Sequence, residues 1–315
     1  MQKRQTPLSV GAVIHRHYIV EGLPGKGDFC NVYLVRDRRD KQKLFALAEI
    51  INPVEQERYG FSLEYVSLAP LDRQALPRVQ YAFNDDKQGR AYLLMSYIDG
   101  LNLEMLRLQQ AEKRFPLAEV TMTMTPVVNA IVYLHNRRPP VIHRNIQPTN
   151  IFIAQTIDEP ALAMLDIFRE HGSTTTTLDY FAPGYGATEQ YKGEFSIRTD
   201  IYGLGATYYT LLTGIVPPDA LYRSTQLNNG EIDPLKPVNE AIPGIPLVIA
   251  EAIQQAMSIN VDDRFSSVEQ FREVLVSPAN QAAPELSDSL PSTSPSPPAI
   301  ASNQPDSLQP GELDG

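Results

Sequence analysis

The segment "RTDIYGLGATYYTLLTG", residues 198–214, is apolar around most of its circumference when wound as a helix. Only a helix sunk in a core on nearly every side tolerates that pattern, so the rest of the chain must wrap it. The neighbouring sequence supplies the wrapping. "PLAEVTMTMTPVVNAIVYLHN" carries Val120, Thr123 or Met124, Val127, Ile131 and Leu134 on one stripe. "PLVIAEAIQQAM" and "SSVEQFREVL" are amphipathic, the latter with a serine N-cap and Glu269 placed for a capping box.

The first third reads as strands. "HYIVEGL", "NVYLVRDR", "KLFALAEII" and "RAYLLMSYI" are short runs rich in β-branched, aromatic and leucine residues, parted by Gly, Asp or Lys turns. Between the third and fourth, "ERYGFSLEYVSLAPL" places Phe61, Tyr65, Leu68 and Leu71 at helical spacing. The expected product is a small antiparallel sheet carrying one helix. His15 and His17 alternate on a further candidate strand, where a metal would need more ligands. No internal repeat is present.

From Ser277 the chain turns Pro- and Ser-rich and loses periodic apolar residues, a composition expected to stay disordered. "PSPP" there reads either as a polyproline ligand for a partner or as a plain tail. The tail holds Glu285, Asp288, Asp306, Glu312 and Asp314, and no Lys or Arg occurs after Arg272, so it accounts for half of the formal charge of −10. That charge speaks against non-specific binding to nucleic acid or anionic membrane. A single cysteine, Cys30, rules out an internal disulfide and suits a reducing cytoplasm. No uninterrupted apolar run reaches the roughly 18–20 residues of a membrane span, and the N-terminus lacks the pattern of a signal peptide.

"LPGKGDFCNVYLV" lies between two strands, with Gly25 and Gly27 free of a Cβ that would keep a phosphate from the backbone. Alone, Gly-x-Gly also reads as an ordinary hairpin turn. Its meaning comes from the segments downstream of it, in order: "FALAE", a helix with Glu64, "YLLMSYIDG", "HRNIQPTN", "LDIF", "YGATEQY", "TDIYGLG" and "DDRF". Over residues 18–276 this series resembles the eukaryotic-like serine/threonine protein kinases of bacteria.

The resemblance implies an α+β, bilobal protein-kinase-like fold. Residues 1–17 would form an arm, 18–95 a small lobe with one helix, 96–276 a larger, mainly helical lobe and 277–315 the tail. A nucleotide pocket would be lined by Gly25, Lys26, Gly27, Val32, Ala46, Ala48, Glu64, Met95, Tyr97 and Phe152. Asn150 and Asp166 stand at the metal-binding positions.

The resemblance also assigns tasks that several residues cannot perform. The strand lysine that grips the α- and β-phosphates falls at Ala48, leaving Glu64 without its partner. Alternation puts Ala46 and Ala48 on one face, Leu47 and Glu49 on the other. Asn145 stands where an aspartate accepts the substrate proton; a carboxamide has no useful basicity. Gln147 stands where a lysine neutralises the migrating phosphoryl group, and it carries no charge. Phe168 replaces the glycine of Asp-Phe-Gly, and Cys30 the third glycine of the loop. Against this, Asp200, Glu189 and Arg264 match structural positions of the large lobe.

Two functions are expected from these residues. One is a catalytically impaired pseudokinase: a cytoplasmic regulatory or scaffolding module for a protein partner, an active kinase or its substrate, with Mg-ATP bound weakly or not at all. The other is an ATP-dependent kinase with a rearranged site, Lys26 supplying the missing cation. Residues 173–177, "STTTT", with Arg144 available, could serve as a phosphothreonine switch or simply as a loop.

Overall fold

The computed structural model describes residues 6–26, 30–50, 75–154, 160–162 and 183–277. The tail beyond Ser277 therefore lies outside the described residues, as do the helix expected at "ERYGFSLEYVSLAPL" and the 173–177 segment. Strands β1 (Val13–Ile14), β2 (Tyr18–Lys26), β3 (Cys30–Asp37), β4 (Leu44–Ile50), β5 (Val79–Asp85) and β6 (Arg90–Ser96) form one antiparallel sheet in the order β1-β2-β3-β4-β6-β5. Alternation decides its two faces. Ala48, Ala91, Leu93 and Met95 turn toward the main core, whereas Tyr18, Val20, Tyr33, Val35, Leu47, Tyr92 and Leu94 form a second cluster on the outer face. A strand buried on both faces needs a continuous apolar run, which is what "AYLLM" in β6 supplies.

The N-terminal arm belongs to this sheet. Val13 and Ile14 pair with Ile19 and Tyr18, and Leu8, Ala12 and Ile14 pack on the outer cluster. The expected strand through His15 and His17 is corrected: His15 and Arg16 have φ of 46° and 66° and form the turn between β1 and β2. The His15 ring rests 4.7 Å from that of Phe83.

Beyond the sheet come seven α-helices among the described residues: α1 (Leu103–Gln109), α2 (Leu117–His135), α3 (Ile197–Thr213), α4 (Ala220–Asn228), α5 (Val238–Ala241), α6 (Leu247–Ala256) and α7 (Val268–Val276). A second sheet, β7 (Gly100–Asn102), β8 (Ile151–Ala154) and β9 (Pro160–Leu162), joins them. Every residue of α3 from Thr199 to Thr213 is buried, as its all-round apolar sequence requires. The hydroxyls of Thr207, Thr210 and Thr213 donate to the carbonyls of Gly203, Ala206 and Tyr209 four residues back, at 2.8, 3.0 and 2.7 Å, which removes the cost of burying them. Two glycines permit close approach. A Cβ on Gly205 would lie 2.9 Å from Ala256 Cβ and Met257 Cγ, and one on Gly203 would lie 3.2 Å from the Ile146 carbonyl oxygen.

Helix α2 is long and apolar enough to cross a bilayer by length and composition, with a mean hydropathy of 1.4. Its Val120, Met124, Val127, Val128, Ile131 and Leu134 are nevertheless buried in the core of the large lobe, which settles the stripe on Met124 rather than Thr123. At α7 the N-cap is Ser267, whose Oγ accepts from Gln270 N. Glu269 is not a box partner; it accepts a 2.8 Å bond from Asn136 Nδ2.

Buried ion pairs tie the large lobe together. Arg264 donates to both Glu189 oxygens, at 2.7 and 3.0 Å, and also to the carbonyls of Ser258 and Arg198. Arg223 does the same with Asp233, at 2.9 and 2.7 Å, and reaches the Met257 carbonyl. Arg107 in α1 grips Glu104 and the carbonyls of Lys113 and Gly214.

Removing one partner of such a pair strands a buried charge, so Glu189→Gln should lower the unfolding free energy by about 3–5 kcal/mol. A urea titration showing less than about 1 kcal/mol would mean the lobe does not depend on the pair. Asp233 gives an acid-dependence test. Burial pushes its carboxyl up, but the Arg223 hydrogen bond, the Leu235 N–H and the Arg223 charge more than offset that, leaving it below the usual range. A depressed carboxyl stabilises the fold above its unfolded value and stops doing so as pH falls. The contribution should hold above about pH 5 and fade below about pH 4. Asp233→Asn should be less stable at neutral pH and show a shallower acid limb; an unchanged limb would remove Asp233 from the account.

Candidate functional site

The loop "HRNIQPTN" runs between α2 and β8, and the buried helix α3 fixes its backbone. Asp200 Oδ2 accepts from His143 N at 2.8 Å and Asp200 Oδ1 from Arg144 N at 2.7 Å. His135 Nε2, at the end of α2, lies 2.8 Å from Asp200 Oδ2 and donates to it. Burial drives the Asp200 carboxyl up, yet the hydrogen bond and charge of His135, then His143, bring it below the ordinary carboxylate range. Arg144 takes φ of 69° and lays its guanidinium over the Phe195 ring, 4.4 Å from the centroid. Gln190 Nε2 closes the back of the loop by donating to the Arg144 carbonyl at 2.9 Å.

The side chains at positions 145, 147 and 150 on this backbone carry no charge. Gln147 Nε2 donates to Asn145 Oδ1 at 2.7 Å, and Asn150 Nδ2 donates to the Asn145 carbonyl at 2.9 Å. Asn150 is buried, and its Oδ1 accepts no hydrogen bond among the described residues, so this acceptor oxygen keeps its lone pairs. An amide pair holds two side chains in one geometry as an ion pair would. It supplies neither a base of useful strength nor a positive charge.

The inner face of the small sheet is apolar. Val32 sits opposite both Gly25 and Ala48 in the ladder, and Ala46 sits opposite Met95. Ala48 is fully buried. A Cβ on Gly25 would meet Val32 Cβ at 3.1 Å, so glycine keeps this entrance open. Met95 ends in the connection to the large lobe, where Ser96 N donates to the Arg78 carbonyl at 2.9 Å. Burial, then the charge of Asp99, raises the Tyr97 phenol. Phe152 lies half-buried on β8, opposite Asn102 and Ala161. Gly100 lets β7 reach β8, since any Cβ there would fall 1.9 Å from the Ile153 carbonyl oxygen.

The structure thus brings Asn145, Gln147 and Asn150 together on one loop and Gly25, Val32, Ala46, Ala48 and Met95 on one sheet. Gly27, Glu64, Asp166, Ile167 and Phe168 lie outside the described residues, as does the side chain of Lys26. Among the described residues, no group of three or more His, Cys, Asp or Glu could hold a metal ion. Sequence reasoning missed His135 and Gln190, which support the loop from outside it. A histidine at a helix C-terminus just before the loop was the available signal for the first.

Comparison with known proteins agrees with this geometry. The sequence model of the family described as "Protein kinase domain" matches residues 18–274. Serine/threonine-protein kinase C of Synechocystis sp. is 26% identical over 287 residues, 86% of this chain and 51% of that protein. Serine/threonine-protein kinase PknF of Mycobacterium tuberculosis is 31% identical over 221 residues, 67% of this chain and 45% of that protein. The chain spans about half the length of the curated relatives it matches. Among solved structures, PpkA-294 in its apo form superposes with a TM-score of 0.69 at 24% identity, covering 86% of this chain and all of that one. The PknI kinase domain of Mycobacterium tuberculosis gives 0.66 at 22%, covering 85% and 98%; both likenesses speak for the fold. The chain belongs to the protein kinase family and carries a serine/threonine protein kinase domain.

Proposed function

We propose that this domain is catalytically impaired and works as a regulatory or scaffolding module toward a protein partner, an active kinase or its substrate. The observation that carries the reading is the neutral Gln147–Asn145 pair, 2.7 Å apart, where phosphoryl transfer needs a base and a cation. The methyl group of Ala48, at the position that the resemblance gives to the strand lysine, removes a second cation. Loss of a general base costs about 10²–10⁴ in rate and loss of one preorganised charge about 10²–10³. Such losses are not additive, so a combined loss on the order of 10⁴–10⁶ from a kinase turnover of roughly 1–100 s⁻¹ is the working figure.

Residual Mg-ATP binding fits the same reading. The Oδ1 of Asn150, with Asp166, would hold the metal, and the connection Met95–Ile98 offers backbone groups to an adenine. Mg²⁺ would neutralise phosphate charge when bound, but nothing at position 48 would grip the phosphates, so affinity should be low. The single Cys30 suits a cytoplasmic setting.

Incubating the unmodified chain with Mg-ATP and following phosphate incorporation by mass spectrometry should show no turnover above the buffer rate. The combined Ala48→Lys, Asn145→Asp and Gln147→Lys variant should gain at least about tenfold over background. Robust phosphorylation by the unmodified chain, abolished by Asp166→Ala, would overturn the proposal. The rival reading rests on Lys26, which ends β2 opposite Asn31 at the mouth of the sheet. A rise in Tm with Mg-ATP that Lys26→Ala removes, together with measurable turnover, would favour it. A rise indifferent to Lys26 would favour nucleotide binding without transfer.

A further inference from the structure

The outer face of the small-lobe sheet carries a polar cradle that the site above does not use. Glu49 on β4 points away from Ala48 and is only 1% exposed. Its Oε2 accepts from the Tyr33 hydroxyl at 2.6 Å and from Asn31 Nδ2 at 3.3 Å, and its Oε1 accepts from Arg90 Nη1. Burying such a pair gives up the hydration of both ions, and apolar residues of similar volume would cover a sheet face at least as well. Packing alone therefore does not account for it.

The remaining bonds of the cradle show what it does. Arg90 Nη2 donates to the Thr6 carbonyl at 2.9 Å, and the Tyr33 oxygen accepts from Leu8 N–H at 3.0 Å. Both partners are main-chain atoms of one stretch, on either side of Pro7. Burial and then the Glu49 hydrogen bond push the Tyr33 phenol up to about 12. Its proton thus stays on the oxygen and is committed to Glu49, leaving a lone pair for an incoming N–H. Proline suits the middle position: it fixes φ, biases the residue before it toward extended backbone, and brings no N–H that would need a partner. Leu8 then drops into the outer cluster while Thr6 and Pro7 stay exposed. Asn31 Oδ1 is buried and has no hydrogen-bond partner among the described residues, so the cradle has capacity beyond what the arm uses.

We propose that this face is a peptide-docking site that grips an extended X-Pro-aliphatic segment by its main chain, with residues 6–14 as its resident ligand in cis. Because the polar contacts are to backbone, a segment of the same pattern on a partner protein competes with the arm. This holds whether or not the domain transfers phosphate.

The test uses the full chain with Leu8→Asp, which weakens the resident arm, and a fluorescent peptide TPLSVGAVI. Saturable binding by anisotropy is expected, about tenfold weaker when Tyr33→Phe is added, and lost when the peptide's own leucine is replaced by aspartate. No saturation at millimolar peptide, or equal affinity with and without the Tyr33 hydroxyl, would overturn the proposal. Hydrogen exchange on the unmodified chain does not rely on a variant folding. The Leu8 amide should exchange about tenfold or more slowly than in the free peptide, and equal rates would sink the assignment.

Discussion

Asp200 sits inside the buried helix α3 with both carboxylate oxygens engaged, by the backbone N–H groups of His143 and Arg144 and by the ring of His135. A carboxylate in such a place is tolerable only if every lone pair finds a donor, and here the donors come from the loop it positions and the helix that precedes it. Helix, loop and preceding helix are thereby locked to one another. The ring of bonds around Arg264 and Glu189 fixes the segment after the loop in the same manner. The loop's shape is thus set from behind, by groups that never face its open side.

The groups that hold the loop differ in kind from those on its open face. The residues that hold the loop are charged, buried and coupled, so losing one costs several kcal/mol of stability. On the open face the amides of Asn145 and Gln147 share a hydrogen bond at 2.7 Å, beside the Asn150–Asn145 contact.

Much of the fold was legible because periodicity is a local signal. The all-round apolar run of α3, the stripe of α2 and the alternation that sends Ala48 inward and Glu49 outward all read directly from spacing. Other features were not. β1 is two residues long and His15 turns at positive φ, so an alternating His-x-His looked like a strand. Arg107 and Arg223 are long charged side chains that read as surface residues, yet both are buried, because the carbonyls and carboxylates that accept them are set in place by distant segments: Gly214 for Arg107, Met257 for Arg223. At the site, the resemblance assigned positions to Asn145, Gln147 and Asn150 and gave none to His135.

What the sequence by itself determined is which groups are available: no ammonium at 48, no carboxylate at 145, no cation at 147, and helices and strands whose apolar faces must be covered. Side-chain chemistry and short-range period need no partner to be known. Only the tertiary structure decided how those groups are spent. Glu49 meets Arg90 across 41 positions of chain, and Arg90 reaches back 84 positions to Thr6. Such pairings arise from strand order and register, which are set by the packing of the whole sheet and leave no trace in any local stretch.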